Sequence, residues 1–124
     1  MRIIDSETGF TGAASVLALG MFDGVHRAHQ ALIRRAACLA AELGAESVVC
    51  TFDKNPLCVL APDRAPEMLL SLDERLEKIA SLGADWALVT PFTRELADQP
   101  AREFLAGLVR GLRARAVVAG FNYT

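Results

Sequence analysis

The chain has 124 residues, 52% of them hydrophobic and 23% charged, which suits one folded domain with a real core and excludes an intrinsically disordered chain. Its formal net charge of −2 argues against a dedicated nucleic-acid binder, which would carry a basic field. It leaves room for a nucleotide site, because a helix N-terminus and one or two cations suffice to hold a phosphate.

Cys38, Cys50 and Cys58 form no CxxC pair and read as reduced, mostly buried thiols of a cytosolic protein. The opening Met1–Glu7 is too short an apolar run for a signal peptide, and no stretch approaches the roughly 20 apolar residues of a membrane span. The expected setting is therefore cytoplasmic, with no membrane partner.

In chain order, Val16 to Gly20 is a short apolar run ending in glycine and predicts a buried strand. Met21 to His26 reads as a loop. From Arg27 to Leu43, Leu32, Ile33, Ala36, Ala37, Ala40 and Leu43 recur at helical spacing, with Gly44 as the stop. Ser47 to Phe52 is a second strand, rich in β-branched residues. Asp53 to Pro66 has three prolines and no clear period, the pattern of a long, functional loop.

Ser71 and Glu74 spell a capping box, and Leu72, Leu76, Ile79 and Ala80 line one face of the helix that follows, which Gly83 ends. Asp85 to Thr90 is a third strand. Pro91 to Gln99 is a connection with one helical turn, and Pro100 suits a first helical position. Phe104, Leu105, Leu108, Val109 and Leu112 mark another amphipathic helix, and Arg115 to Gly120 a fourth strand. Apolar strands alternating with helices predict an α/β fold: a Rossmann-like parallel sheet with helices on both faces.

Ligands of such sheets bind outside the carboxyl ends of the strands, and the unusual residues of this chain fall there. They are Gly20–His29 after the first strand, Asp53–Pro56 after the second, Pro91–Thr93 after the third and Phe121–Thr124 after the fourth. These loops are expected to share one rim. His26 and His29, three residues apart at a helix start, face the same way and lie beside free N–H groups and a positive dipole end. Gly20 and Gly24 allow a backbone to approach a ligand closely.

Three readings of the histidine pair are open: incidental helix-start residues, a metal site and a phosphate clamp. No third ligand stands at a recognisable metal spacing, and the loop context favours phosphate. Trp86 is expected to serve core packing, Arg34 and Arg35 a solvated helix face, and Arg94 and Glu95 the surface. Asp23 either meets a ligand or shapes its loop.

Gly20-Met-Phe-Asp-Gly-Val-His-Arg-Ala-His29 resembles the Gly-x-Phe-Asp-Gly-Val-His-x-Gly-His signature of the nucleotidylyltransferase superfamily, in the form typical of bacterial FAD synthetases. Thr51-Phe-Asp-Lys-Asn-Pro56 is similar to that family's Thr-Phe-Asp-Pro-His-Pro, and Gly120-Phe-Asn-Tyr-Thr124 to its Gly-x-Asn-Phe/Tyr loop. The resemblance spans about residue 16 to the end. It implies the FMN adenylyltransferase module of the bifunctional riboflavin kinase/FAD synthetase family, with this chain, 1–124, lacking the C-terminal part of the module and the riboflavin kinase domain.

The implied reaction is FMN plus ATP to FAD plus pyrophosphate, with Mg²⁺ accompanying ATP and no direct, fixed metal ligand from the protein. Carried over by position, His26 and His29 would be catalytic and hold the ATP phosphates. Gly20, Met21, Phe22, Asp23 and Gly24 would lie along ATP. Asp53, Asn55 and Pro56 would border FMN, and Asn122 would serve the phosphate and flavin side. Ala28 stands where the family has glycine, and Lys54 and Asn55 where it has Pro and His. Two further readings stand beside this one: a non-catalytic nucleotide- or flavin-binding remnant, and a nucleotidylyltransferase for another phosphorylated substrate.

Overall fold

The computed structural model describes residues 1–65, 67 and 69–120. Its strands are β1 (Arg2–Ile4), β2 (Ser15–Leu19), β3 (Glu46–Phe52), β4 (Trp86–Thr90) and β5 (Ala114–Ala119). Its helices are α1 (Arg27–Leu43), α2 (Leu57–Leu60), α3 (Leu72–Ser81), α4 (Arg94–Asp98) and α5 (Ala101–Gly111), with 3₁₀ turns at Glu7–Gly9 and Pro62–Arg64. The strands form one sheet in the order β1-β4-β3-β2-β5, every pair parallel.

Side chains alternate across the sheet, as they must along any strand, and each face therefore has its own core. Val16, Ala18 and Val49 point to one face, where they meet Ile33, Ala36 and Ala40 of α1 and Ile79 of α3. Leu17, Leu19, Val48, Cys50 and Leu88 point to the other, against Leu108 of α5, Leu112, Phe10 and Trp86. Every residue of β2 is buried, the signature of a strand covered on both sides. Trp86 serves packing, as expected: it is 3% exposed and meets Phe10 edge to face, with ring centroids 5.0 Å apart.

The expected capping box is present, Ser71 Oγ accepting from the Glu74 N–H at 3.1 Å and the Glu74 carboxylate from the Ser71 N–H at 3.1 Å. Other expectations are corrected. β1 had no pattern to betray it, being three residues long at the sheet edge. Asp53–Pro66 carries the short α2 and a 3₁₀ turn within the predicted loop. Pro100 is the N-cap of α5, not its first residue. Ala80 is exposed, as are Leu43 and Leu105 at 37% and 38%, because the contact stripes of their helices are narrower than the apolar periodicity implied. Cys38 and Cys58 are exposed and only Cys50 is buried, where burial pushes its thiol up to about 12.

The strand order decides where a ligand fits. The chain runs β2, β3, β4 in one direction across the sheet and then returns, through α5 on the opposite face, to set β5 on the far side of β2. The reversal lies between β2 and β5, and such a switch point opens a crevice at the carboxyl ends of its strands.

Candidate active site

The turn from β2 into α1 is built from strained backbone held by buried side chains. Phe22 and Val25 have φ of 56° and 44°, a left-handed conformation that costs an L-residue roughly 1–2 kcal/mol. They are 1% and 2% exposed, and burying such side chains contributes about 1.5–3 kcal/mol each, enough to hold the turn. The two glycines serve this turn. A Cβ on Gly20 would lie 3.1 Å from Phe22 Cζ, and one on Gly24, at φ 80°, 3.1 Å from Leu69 Cδ1. Gly20 makes room for the Phe22 ring, and Gly24 for a left-handed step beneath Leu69.

The turn delivers the histidines. His26 is the N-cap of α1 and gives no side-chain hydrogen bond to the helix, and the first turn holds no acidic residue. The positive end of a 17-residue helix thus keeps its free N–H groups for an anion. His26 and His29 stack, with ring centroids 3.8 Å apart and planes at 26°, and Phe22 meets His29 edge-on at 5.3 Å. His29 Nδ1 is buried without a hydrogen-bond partner, which leaves Nε2 as the ring nitrogen open to a ligand. Burial, and then the neighbouring His26, lower the pKa of His29, while Asp23 opposes them. The imidazole is therefore poised neutral and would gain a proton most easily beside an anion.

In front of the pair opens a pocket of about 800 Å³, within the range of small-molecule sites. One wall is Gly20–Phe22 with His26, Ala28, His29 and Leu32; the facing wall is Phe52 and Asn55–Leu57; Leu19, at the end of β2, and Gly120, after β5, complete the described lining. Leu19 pairs with Cys50 and with Ala119, so these strand ends are level, and β3 overhangs by Thr51 and Phe52 to form the second wall.

Not every candidate residue lines this pocket. Asp23 Oδ1 accepts from the Leu69 N–H at 3.0 Å, which makes Asp23 a shaper of its loop. Asp53 Oδ1 accepts from the Phe92 N–H at 3.0 Å, tying the ends of β3 and β4 together. Asn55 lines the pocket, although its Oδ1 accepts from the Leu57 N–H at 2.9 Å. Gly24 and Pro91–Thr93 are absent from the described lining, so of the expected loops those after β2 and β3 converge here and the one after β4 does not, while Phe121–Thr124 lies outside the described residues. Asn122 lies outside the described residues.

One residue was missed. Arg75, on α3, is 1% exposed and donates to the Met21 carbonyl at 2.8 Å, Thr51 Oγ1 at 3.1 Å, the Phe52 carbonyl at 3.1 Å and the Asp53 carbonyl at 3.4 Å. The available signal was position: Arg75 follows Leu72 by three residues and adjoins Leu76 on the apolar stripe, where a charge needs partners.

A model of the FAD synthetase family matches residues 11–124. The chain belongs to the FAD synthetase family. It is 38% identical over 116 residues to a bifunctional riboflavin kinase/FMN adenylyltransferase of Listeria monocytogenes, covering 93% of this chain and 37% of that protein. It is 37% identical over 123 residues to a putative bifunctional riboflavin kinase/FMN adenylyltransferase of Geobacillus thermodenitrificans, covering 99% and 66%. A Bacillus subtilis relative is 37% identical over 113 residues, with 90% and 36% covered. The chain thus spans about a third of the Listeria and Bacillus proteins. A crystal structure titled as a macrolide-efflux protein from Streptococcus pneumoniae superposes with a TM-score of 0.82 at 32% identity, covering 98% of this chain and 41% of that one. No helix among the described residues is long and apolar enough to cross a membrane.

Proposed function

We propose that this family member is the FMN adenylyltransferase module of a cytoplasmic enzyme and makes FAD by transferring AMP from ATP to FMN. The observation that carries this reading is the stacked His26/His29 pair at the open N-terminus of α1, facing a pocket with an aromatic and amide wall. A phosphate oxygen of FMN attacks the α-phosphorus of ATP, the bond from that phosphorus to the bridging oxygen breaks, and pyrophosphate leaves with the electron pair. Catalysis of this class is mostly positioning and charge stabilisation. The α1 N–H groups and the imidazoles receive the phosphates, Gly20–Phe22 borders the nucleotide, and Phe52, Asn55 and Pro56 border the flavin.

Mg²⁺ would come to this site as a partner of ATP. The described residues contain no cluster of three His, Cys, Asp or Glu side chains able to hold a metal, and Mg²⁺ usually rides on substrate phosphates with several waters. When bound it would supply charge neutralisation on the phosphates. Incubating the intact protein with FMN, ATP and Mg²⁺ tests the reading: FAD and pyrophosphate should appear in equal amounts, and a protein that binds both substrates yet forms no FAD refutes it.

A further inference from the structure

We infer that Arg75 is a positioning residue for this site: its buried guanidinium clamps the turn after β2 to the overhanging end of β3, and so sets the spacing between the His26/His29 pair and the Phe52–Leu57 wall. The inference rests on the adenylyl-transfer reading for its consequence in catalysis, and on the hydrogen bonds alone for the clamp.

A cation in the apolar interface between a helix and a sheet is costly unless it is well hydrogen-bonded, and Arg75 Nε is buried with no partner, so its bonds do not offset the whole of that cost. An aliphatic side chain would fill the same space more cheaply, and Leu72, Leu76 and Ile79 do so around it. What the guanidinium adds is reach. It bonds three backbone carbonyls and one hydroxyl, those of Met21, Phe52, Asp53 and Thr51, and all four belong to the last residues of β3 or to the turns that wall the pocket. Nothing within α3 accepts from it among the described hydrogen bonds.

The Met21 carbonyl is held twice, because Thr51 Oγ1 donates to it at 3.0 Å while accepting from Arg75 Nη1. Met21 immediately precedes Phe22, whose strained backbone and buried ring seat His29. The path from the guanidinium to the imidazole is therefore a run of direct contacts. Arg75 itself is too buried to touch a substrate. Asp23 and Asp53 both lie close enough to favour its charge against the effect of burial, and each holds a loop of the same rim through its own carboxylate.

The test uses Arg75→Met, Arg75→Lys and Thr51→Val in the intact protein, with kcat, the KM for each substrate, thermal stability, and hydrogen exchange of the Gly20–Val25 amides without ligand. A misplacement of about 1 Å costs on the order of 10²-fold in rate. Arg75→Met should therefore lose about that in kcat with the KM values little changed, and its Gly20–Val25 amides should exchange faster. Arg75→Lys, which keeps a cation with three donors, should recover much of both. A folded Arg75→Met with wild-type kcat and wild-type exchange at Gly20–Val25 overturns the inference, whatever its melting temperature. Should Arg75→Met not fold, Thr51→Val decides, since it keeps the shape and removes the shared hydroxyl; unchanged kcat and exchange there overturn the clamp. If the wild-type protein forms no FAD, the adenylyl-transfer reading fails by itself and the exchange data still decide the clamp.

Discussion

The two walls of the pocket are held in different ways. The histidine wall is pinned from inside: Phe22 and Val25 sink into the core, and the Met21 carbonyl accepts from both Arg75 and Thr51. The facing wall starts at Phe52, the Arg75-held end of β3, but continues on a connection whose α2 and 3₁₀ turn bury no residue. Leu57, Leu60 and Leu69 along it are 36%, 46% and 76% exposed. Beyond Asp53 its long-range ties among the described residues are few: the Arg94 guanidinium donates to the Val59 carbonyl at 3.0 Å and the Leu69 N–H to Asp23 Oδ1 at 3.0 Å. Preorganisation of donors is what stabilises developing charge, so on the proposed reading rigidity belongs on the side that would receive the phosphates. A wall anchored by few core contacts is the one that opens locally at low cost, which suits admission of a bulky aromatic substrate.

The sharpest way to break this asymmetry is to empty the anchored wall. Phe22→Ala removes a fully buried ring beneath His29 and should cost about 3–5 kcal/mol of stability, read by denaturant unfolding, while Leu69→Ala on the loose connection should stay within about 0.5 kcal/mol. Equal effects would mean that the two walls are held alike. Next in size, His29→Ala should lower the rate of FAD formation by about 10²–10³-fold with little change in folding; full turnover in that variant removes the catalytic role.

The pH dependence follows from the lowered pKa of His29. The unfolded chain takes up that proton near pH 6.5 and the folded protein only at lower pH. Between those values the unfolded state binds more protons, so stability falls as pH drops through that window. His29→Gln should flatten that part of the stability curve, measured by unfolding at a series of pH values without ligand. A curve identical to wild type would show that the imidazole is not desolvated. Smallest of all, Ala28→Gly should tighten ATP binding, because the Ala28 methyl lines the pocket at the helix start, and should lower stability by up to about 1 kcal/mol. Unchanged affinity would mean that the methyl is accommodated.

Much of this molecule was determined by local pattern. The apolar runs of β2, β3 and β4 and the bounds of α1, Arg27 to Leu43, are legible because burial on both faces, helical period and a glycine stop act over a few residues. The histidine pair is legible for the same reason: a three-residue spacing at a helix start places two rings on one side. Only the tertiary structure decided the rest, because it depends on segments far apart in the chain. The placement of β5 beside β2, which sets the crevice at Gly20 and Gly120, is a choice of strand order that no periodicity encodes. Asp53 reads as a ligand residue in its motif and is instead engaged by the Phe92 N–H, 39 residues away. Arg75 reads as one more helix charge until the Met21 carbonyl, 54 residues earlier, is brought against it. Composition and spacing report what a segment buries; which distant group satisfies a buried donor is settled only when the layers close around it.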